Sequence, residues 1–280
     1  MLTKTGYIAC GQYCVRVLGS FVLPSKPRNS FVTLQNCADF DQVDLTLRLE
    51  SLLTTKNELP EEGWSCSFYQ NKHYAIYAEK REPIFAVAYE DSMSEITIHV
   101  RPEMSKAGML GIQYGMMLGL YQKCVGLHGV TLLCGDEVVI LSAPSGTGKT
   151  TLAHLLENYD DAIVINGDFA LLSIEEGGVV FEPTPFCGSS GRCLNHRVQV
   201  NRVVFLEQSP TNQWRAITSR EAISRFMDNS FIPTWDARIQ QTVQENILKC
   251  ISMLKVNVFS FAPTSIAAEM FSGQLRFNEE

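Results

Sequence analysis

Between residues 43 and 100 apolar and polar positions alternate in short runs. Val43, Leu45 and Leu47 are separated by Asp44 and Thr46; Tyr74, Ile76 and Ala78 by Ala75 and Tyr77; Ile96, Ile98 and Val100 by Thr97 and His99. A period of two puts successive side chains on opposite faces of a strand. Turn sequences such as Leu59-Pro60-Glu61-Glu62-Gly63 divide the runs, so the pattern predicts a largely antiparallel meander with one solvated face. Over residues 105–123 it gives way to a helical stretch rich in Met, Leu and Gly. Gly111, Gly115 and Gly119 recur there at every fourth residue, a stripe along which a neighbouring element can pack closely, as in a buried helix.

From Val125 the rhythm becomes strand, turn and helix. Strands are predicted over 129–134 and 138–141, a helix over 149–158, then strands over 162–165, 170–174, 179–181 and 202–206. Helices over 221–227 and 238–254, a strand over 256–261 and a helix over 265–271 complete the chain. The expectation is a β-rich N-terminal region ending in a helix (1–122), followed by an α/β nucleotide-binding core (123–280).

One octapeptide carries chemistry. Ala143-Pro144-Ser145-Gly146-Thr147-Gly148-Lys149-Thr150 follows the apolar run Val138-Val139-Ile140-Leu141 and opens a helix. Binding a polyphosphate takes several backbone N–H groups aimed at one point, glycines where a Cβ would block the ligand, and a helix N-terminus. Ser145, Gly146, Thr147 and Gly148 would form the cradle. Lys149 would reach the terminal phosphates, Thr150 would sit on Mg2+, and Thr151 would hold the α-phosphate. The pattern departs from G-x-x-x-x-G-K-[ST] only at its first position, which is Ala143.

Composition removes several alternatives. The 280 residues are 45% hydrophobic and 19% charged, a globular balance that excludes a disordered or low-complexity chain. Net charge is −7, with no lysine- or arginine-rich block, which argues against nucleic acid as a partner. The uncharged stretch 107–122 contains Gln113 and Gln122 and is shorter than the ~20 residues of a membrane span. Nine cysteines without a C-x-x-C pair read as reduced, cytoplasmic thiols in core and loops. Cys187 and Cys193, near His196, match no structural zinc spacing.

The loop and its surroundings resemble a known family. Leu127-His128-Gly129 ahead of the strand pair, Ser145-Gly146-Thr147-Gly148-Lys149, and Val164-Ile165-Asn166-Gly167-Asp168 closing the next strand look like HPr serine kinase/phosphorylase and its relatives, whose P-loop core has the phosphoenolpyruvate carboxykinase fold. Pro185-Phe186-Cys187-Gly188-Ser189-Ser190-Gly191, with Asn195 and a strand ending Phe205-Leu206-Glu207, is similar to the carboxykinase-like relatives rather than to the HPr kinases proper. The likeness covers roughly residues 125 to 225. It implies phosphoryl transfer from ATP, with Mg2+, to a hydroxyl. Where HPr kinases carry an Asp-Asp pair, this chain has Gly167-Asp168. Asp168 would then serve as base or as metal ligand, its alternative being a plain turn aspartate. His128 would lie near the transferred phosphate, unless it is a structural histidine. Ser189 and Arg192 would contact ATP or the acceptor, Arg192 through its planar fork. Glu207 is either a support for the metal or a strand-end carboxylate, and Asp160-Asp161 reads as a solvated turn.

The expectation is therefore an ATP-dependent kinase acting on a hydroxyl, serine foremost, of a peptide, protein or small metabolite. The alternative is a nucleotide-binding regulatory or scaffold module without turnover. Carboxykinase activity would need a transition-metal site that the chain does not display. The aromatics Trp64, Phe68, Tyr69, Tyr74 and Tyr77 would either line an acceptor groove or form the first region's own core. Self-association is carried over from the HPr kinases. The negative charge favours a neutral or basic acceptor over a polyanion.

Overall fold

The computed structural model describes residues 4–19, 43–52, 58–100 and 106–276; Cys37 and Ser105 lie outside them. The chain divides into two units, one reaching Gln122 and including Pro233–Gln240, the other comprising Lys123–Ile232 and the chain from Gln241 onward.

The first unit holds β1 (Lys4–Cys10), β2 (Tyr13–Gly19), β3 (Leu45–Ser51), β4 (Glu62–Tyr69), β5 (Lys72–Glu79), β6 (Glu82–Tyr89), β7 (Glu95–Val100) and α1 (Lys106–Leu120). Its seven strands form one sheet in the order β1-β2-β3-β7-β6-β5-β4. Strands β4 to β7 make the antiparallel meander the alternation predicts. The sheet as a whole is mixed, because β3 runs parallel to both β2 and β7. Thr97 and His99, polar positions of β7, are buried, so the solvated face expected from the alternation is covered at the sheet's centre. Helix α1 lies on this sheet along its glycine stripe: a Cβ on Gly111 would stand 2.7 Å from Ile98 Cγ2, and one on Gly115 2.9 Å from Ile98 Cδ1.

Trp64 and Tyr77 belong to this unit's own packing. Trp64 contacts the rings of Tyr77, Phe85, Tyr114 and Trp235, the last at 4.3 Å between centroids. Trp235 Nε1 donates to Tyr89 Oη at 3.0 Å. This tie brings residues 233–240 into the first unit, which a single boundary after residue 122 does not foresee. Phe68 and Tyr69 remain exposed.

The second unit contains β8 (Cys124–Cys134), β9 (Glu137–Ser142), α2 (Lys149–Asp160), β10 (Ile163–Asn166), β11 (Phe169–Glu175), β12 (Gly178–Glu182), β13 (Val198–Gln199), β14 (Arg202–Gln208), β15 (Gln213–Ala216), α3 (Ser219–Asn229), most of α4 (Ala237–Met253), β16 (Lys255–Phe261) and α5 (Ser265–Arg276). Its sheet runs β13-β12-β11-β8-β9-β14-β16-β15, with β10 also on β8. Strands β9, β14 and β16 are parallel to one another. Strands β9 and β14 carry, over 138–141 and 203–206, the continuous apolar runs of strands covered on both faces, whereas β16 interleaves Asn257 and Ser260 with its apolar residues. Leu152, Ala153 and Leu156 of α2 and Ala267, Ala268 and Phe271 of α5 share one core with Leu141, Leu206, Phe259 and Phe261. Beneath it, buried Arg202 donates to both carboxylate oxygens of Glu137, at 3.0 and 3.2 Å, and to Asn257 Oδ1 at 2.8 Å, tying the start of the three parallel strands together.

The longest strand, β8, takes partners along both edges. On one edge the half from Cys124 to His128 pairs with β11 and the half from Thr131 to Leu133 with β10, so the β10–β11 turn falls beside its middle, where Gly129 N donates to Asp168 O at 2.9 Å. Along its other edge Gly129 pairs with Ser142, the last residue of β9. Three segments distant in sequence meet there.

Candidate functional site

The loop from Ala143 to Gly148 leaves β9 and enters α2. Gly146 and Gly148 have φ of 81° and 107°, left-handed values that an L residue adopts only under strain. A Cβ on Gly146 would meet nothing within 4 Å, so conformation alone asks for glycine there. Gly148 is the N-cap of α2, and its carbonyl accepts from Leu152 N at 2.9 Å. The first N–H groups of a helix have no carbonyl four residues back to donate to, and in α2 these belong to Lys149, Thr150 and Thr151, next to the loop. Thr147 Oγ1 donates to Pro144 O at 3.0 Å, and Gln208 Nε2 reaches across to Gly146 O at 3.2 Å.

Lys149 is 7% exposed. Its Nζ donates to Ala143 O at 2.7 Å and Pro144 O at 3.1 Å, and burial lowers its pKa while Asp168 works against that. A third donor position of the ammonium is left over. Thr150 and Thr151 are exposed.

The opposite wall is the β10–β11 turn. Buried Asn166 accepts with Oδ1 from the backbone N–H of Asp168 and of Phe169, both at 3.0 Å, an Asx turn that fixes where Asp168 projects. Asp168 Oδ1 lies 3.6 Å from His128 Nδ1, with both side chains about 40% exposed. That spacing is longer than a hydrogen bond. Burial and then Lys149 lower the His128 pKa, and Asp168 opposes them, leaving the imidazole neutral near pH 7. The Ser142 hydroxyl donates to His128 O at 2.8 Å, joining this wall to the start of the loop.

Residues 187–193 close the third side. Cys187 and Cys193 form a disulfide with Cα atoms 5.7 Å apart, which corrects the reading of nine reduced thiols. Their short loop includes a 3-10 turn over Gly188–Ser190. It is sewn to β10 by Leu194 N to Ile165 O at 2.8 Å and Gly167 N to Arg192 O at 3.0 Å. Ser190 Oγ donates to Cys187 O at 2.7 Å. A Cβ on Gly167 would run into Ser190 Oγ and stand 2.8 Å from Ser190 Cβ. A side chain at Gly167 has no room, because this loop fills the space.

His128, Ser145, Gly146, Gly148, Lys149, Thr150, Thr151, Gly167, Asp168 and Ser190 thus line one polar cleft of about 260 Å3. Thr147 faces a neighbouring cavity instead. Of the acceptor contacts expected from the sequence, Arg192 does not line this cleft. Its guanidinium pairs with Glu157 of α2, and the loop residue that lines the cleft is Ser190; the Ser189 side chain lies outside the described residues. Glu207 is committed to Arg225, to Arg215 at 3.4 Å and to Ser260 Oγ at 2.8 Å, a network that includes Glu221, whose carboxyl Arg215 draws down to about 2. Among the described residues no group of three or more His, Cys, Asp or Glu side chains is arranged to hold a metal. A Mg2+ bridged to phosphates needs only one or two protein oxygens, and the Thr150 hydroxyl and the Asp168 carboxylate on this cleft are oxygens of that kind. Gln208 belongs to no motif in the sequence, and Asn166, though part of the quoted stretch 164–168, has no role legible there; both become visible only through the contacts they make.

No protein-family model matches the chain, and neither does any curated protein. Among solved structures, an HPr(Ser) kinase/phosphatase from Coxiella burnetii is matched at 11% identity over 55% of this chain and 95% of that one, with a TM-score of 0.30. No helix among the described residues is long and apolar enough to cross a membrane.

Proposed function

We propose that the second unit binds a nucleoside triphosphate with Mg2+ and transfers its terminal phosphoryl group to a hydroxyl. The observation that carries this is the confluence in one cleft of a glycine-shaped loop at a helix N-terminus, a buried lysine, and a carboxylate beside a histidine. In this reading the amides from Ser145 to Thr150 hold the phosphates, and Lys149 directs its remaining donor to them. Thr150 and Asp168 would hold Mg2+, which supplies charge neutralisation on the phosphates. His128, uncharged and next to Asp168, takes the proton of the incoming hydroxyl, while the nearby Asp168 carboxylate stabilises the imidazolium that forms. Ser190 borders the space the acceptor would enter. A loose phosphoryl-transfer transition state asks chiefly for positioning, so a single carboxylate suffices.

The acceptor we infer is a peptide, protein or small molecule with a serine-like hydroxyl, neutral or basic in charge, recognised with the help of the first unit, in a cytoplasmic protein that associates with itself. A second reading, nucleotide binding without turnover, draws on the space beside Asp168 that Ser190 fills. ATP and Mg2+ with a panel of hydroxyl acceptors separate the two. Hydrolysis or transfer that Lys149→Ala abolishes supports the kinase, and binding alone supports the regulator. Because a hydrogen bond to a charged group is worth about 1.5–3 kcal/mol, Lys149→Ala should weaken ATP roughly 10- to 150-fold in either case.

A further inference from the structure

A second cavity, of about 480 Å3, lies on the other side of the loop and shares Gly146, Gly148 and Thr151 with the polar cleft. Its remaining walls come from the segments that leave the carboxyl ends of β14 and β16, Gln208 to Pro210 and Phe261 to Pro263. It therefore sits outside the ends of three parallel strands, where open α/β sheets take ligands, and its size is that of small-molecule sites, about 300–1,000 Å3. Pro210, Phe261, Ala262 and Pro263 give it apolar walls, against the polar lining of the cleft.

The polar groups around this cavity are largely spoken for. Gln208 Nε2 donates to Gly146 O, and Ser209 Oγ is 3.3 Å from Thr211 Oγ1 and accepts from Thr211 N at 3.2 Å. Ala262 N donates to Asn212 Oδ1 at 2.9 Å, Ser209 N to Phe261 O at 3.1 Å, and Thr264 N to Ala262 O at 2.8 Å. Pro210 and Pro263 have no N–H to offer. A base placed here meets the apolar surfaces of Pro210, Ala262 and Pro263, with Phe261 only 2% exposed behind them, while the Gln208 amide and the Ser209 hydroxyl, which could read its hydrogen-bonding edge, already hold partners.

Resting on the triphosphate reading above, we infer that this cavity holds the base and ribose of the nucleotide and grips purines by burial against apolar walls, with little discrimination between adenine and guanine. Strong rejection of an analogue requires site groups that lose a partner, and apolar contact does not supply it.

Calorimetric titration of the whole chain with ATP, GTP and inorganic tripolyphosphate, each with Mg2+, tests this. ATP and GTP should agree within about threefold, and both should bind about tenfold or more tighter than tripolyphosphate, the contribution of burying the base against apolar walls. Pro263→Glu, at an exposed position, should weaken both nucleotides about tenfold and leave tripolyphosphate unchanged. A preference of more than about tenfold for one purine overturns the lack of discrimination. Nucleotides no tighter than tripolyphosphate, or a Pro263→Glu variant that weakens all three alike, overturn the assignment of the cavity, the former leaving it to another occupant such as the acceptor. If tripolyphosphate fails to bind, or binds equally to Lys149→Ala, the phosphate reading itself fails and this inference falls with it.

Discussion

Gly146 and Gly167 face each other across one cleft and are glycines for opposite reasons. Gly146 has a left-handed backbone and open space around it; Gly167 has no such backbone angle, and its Cβ position is already occupied by Ser190. The first requirement is local, written into the residues on either side. The second is set by a loop more than twenty positions further on and held there by a disulfide. One wall of the cleft is thus a contiguous motif, and the other is an assembly of β8, the β10–β11 turn and the 187–193 loop.

The assembled wall is where single substitutions should act most strongly on turnover while sparing binding. Gly167→Ala must displace Ser190 or Asp168, and a shift of the order of 1 Å costs catalysis roughly 100-fold; nucleotide affinity should change by less than about threefold, since the loop wall is untouched. Adding Ser190→Gly, which removes both crowding side-chain atoms, should restore most of the loss. ATP turnover and calorimetry on the single and double variants measure this, and an unrescued double variant would show that Gly167 matters for something other than space.

The disulfide gives the next effect. Replacing Cys187 and Cys193 together by serine frees a loop of sequence separation 6, for which chain entropy gives about 2 kcal/mol of stability. Denaturant unfolding should report that loss, with turnover falling further than ATP affinity. Equal losses of both would mean that the loop supports the whole second unit rather than one wall.

At Gly146 the expected cost is smaller, and its order among substitutes is diagnostic. Alanine there takes on about 1–2 kcal/mol of left-handed strain, and asparagine, which tolerates that region, takes on less. At Gly167 the order should invert, because asparagine is larger than alanine and the restriction is volume. Thermal midpoints of the four variants decide the matter, and the same ranking at both sites would erase the distinction between the two glycines.

The same distinction explains what could be read in advance. The strand, loop and helix around Lys149 were legible, since apolar runs, glycine spacing and helix start are all local signals. So was the helix over the glycine stripe of 111, 115 and 119. The parallel placement of β3 was not, because alternation fixes faces and not neighbours. Nor was the membership of residues 233–240 in the first unit, which depends on Trp235 meeting Trp64. Arg192 illustrates the limit for the site: its residue type suits phosphate, yet only the fold reveals that Glu157 holds it.

The smallest effect concerns His128, the residue that joins the two walls. Burial and Lys149 from the loop side disfavour its imidazolium, and Asp168 from the assembled side favours it, with a net lowering. In the unfolded chain a histidine titrates near 6.5. Between that value and the lowered folded one the unfolded chain binds more protons, so this contribution to stability is complete above about pH 6.5 and is lost as pH falls through the window. His99, buried with Nδ1 3.2 Å from Ser51 O and likewise lowered by burial, acts in the same direction in the first unit. It is unchanged in His128→Gln, so the difference between wild type and that variant isolates His128. Wild type should lose thermal stability relative to His128→Gln between about pH 7 and 5.5, by no more than about 2 °C because the ring is partly solvated. A bound triphosphate adds negative charge beside the ring and raises its pKa, so tripolyphosphate should shrink the difference between the wild-type and His128→Gln pH profiles, in which the ligand's own titration cancels. If it does not, the phosphates do not sit between Lys149 and His128, and the two walls do not form one site.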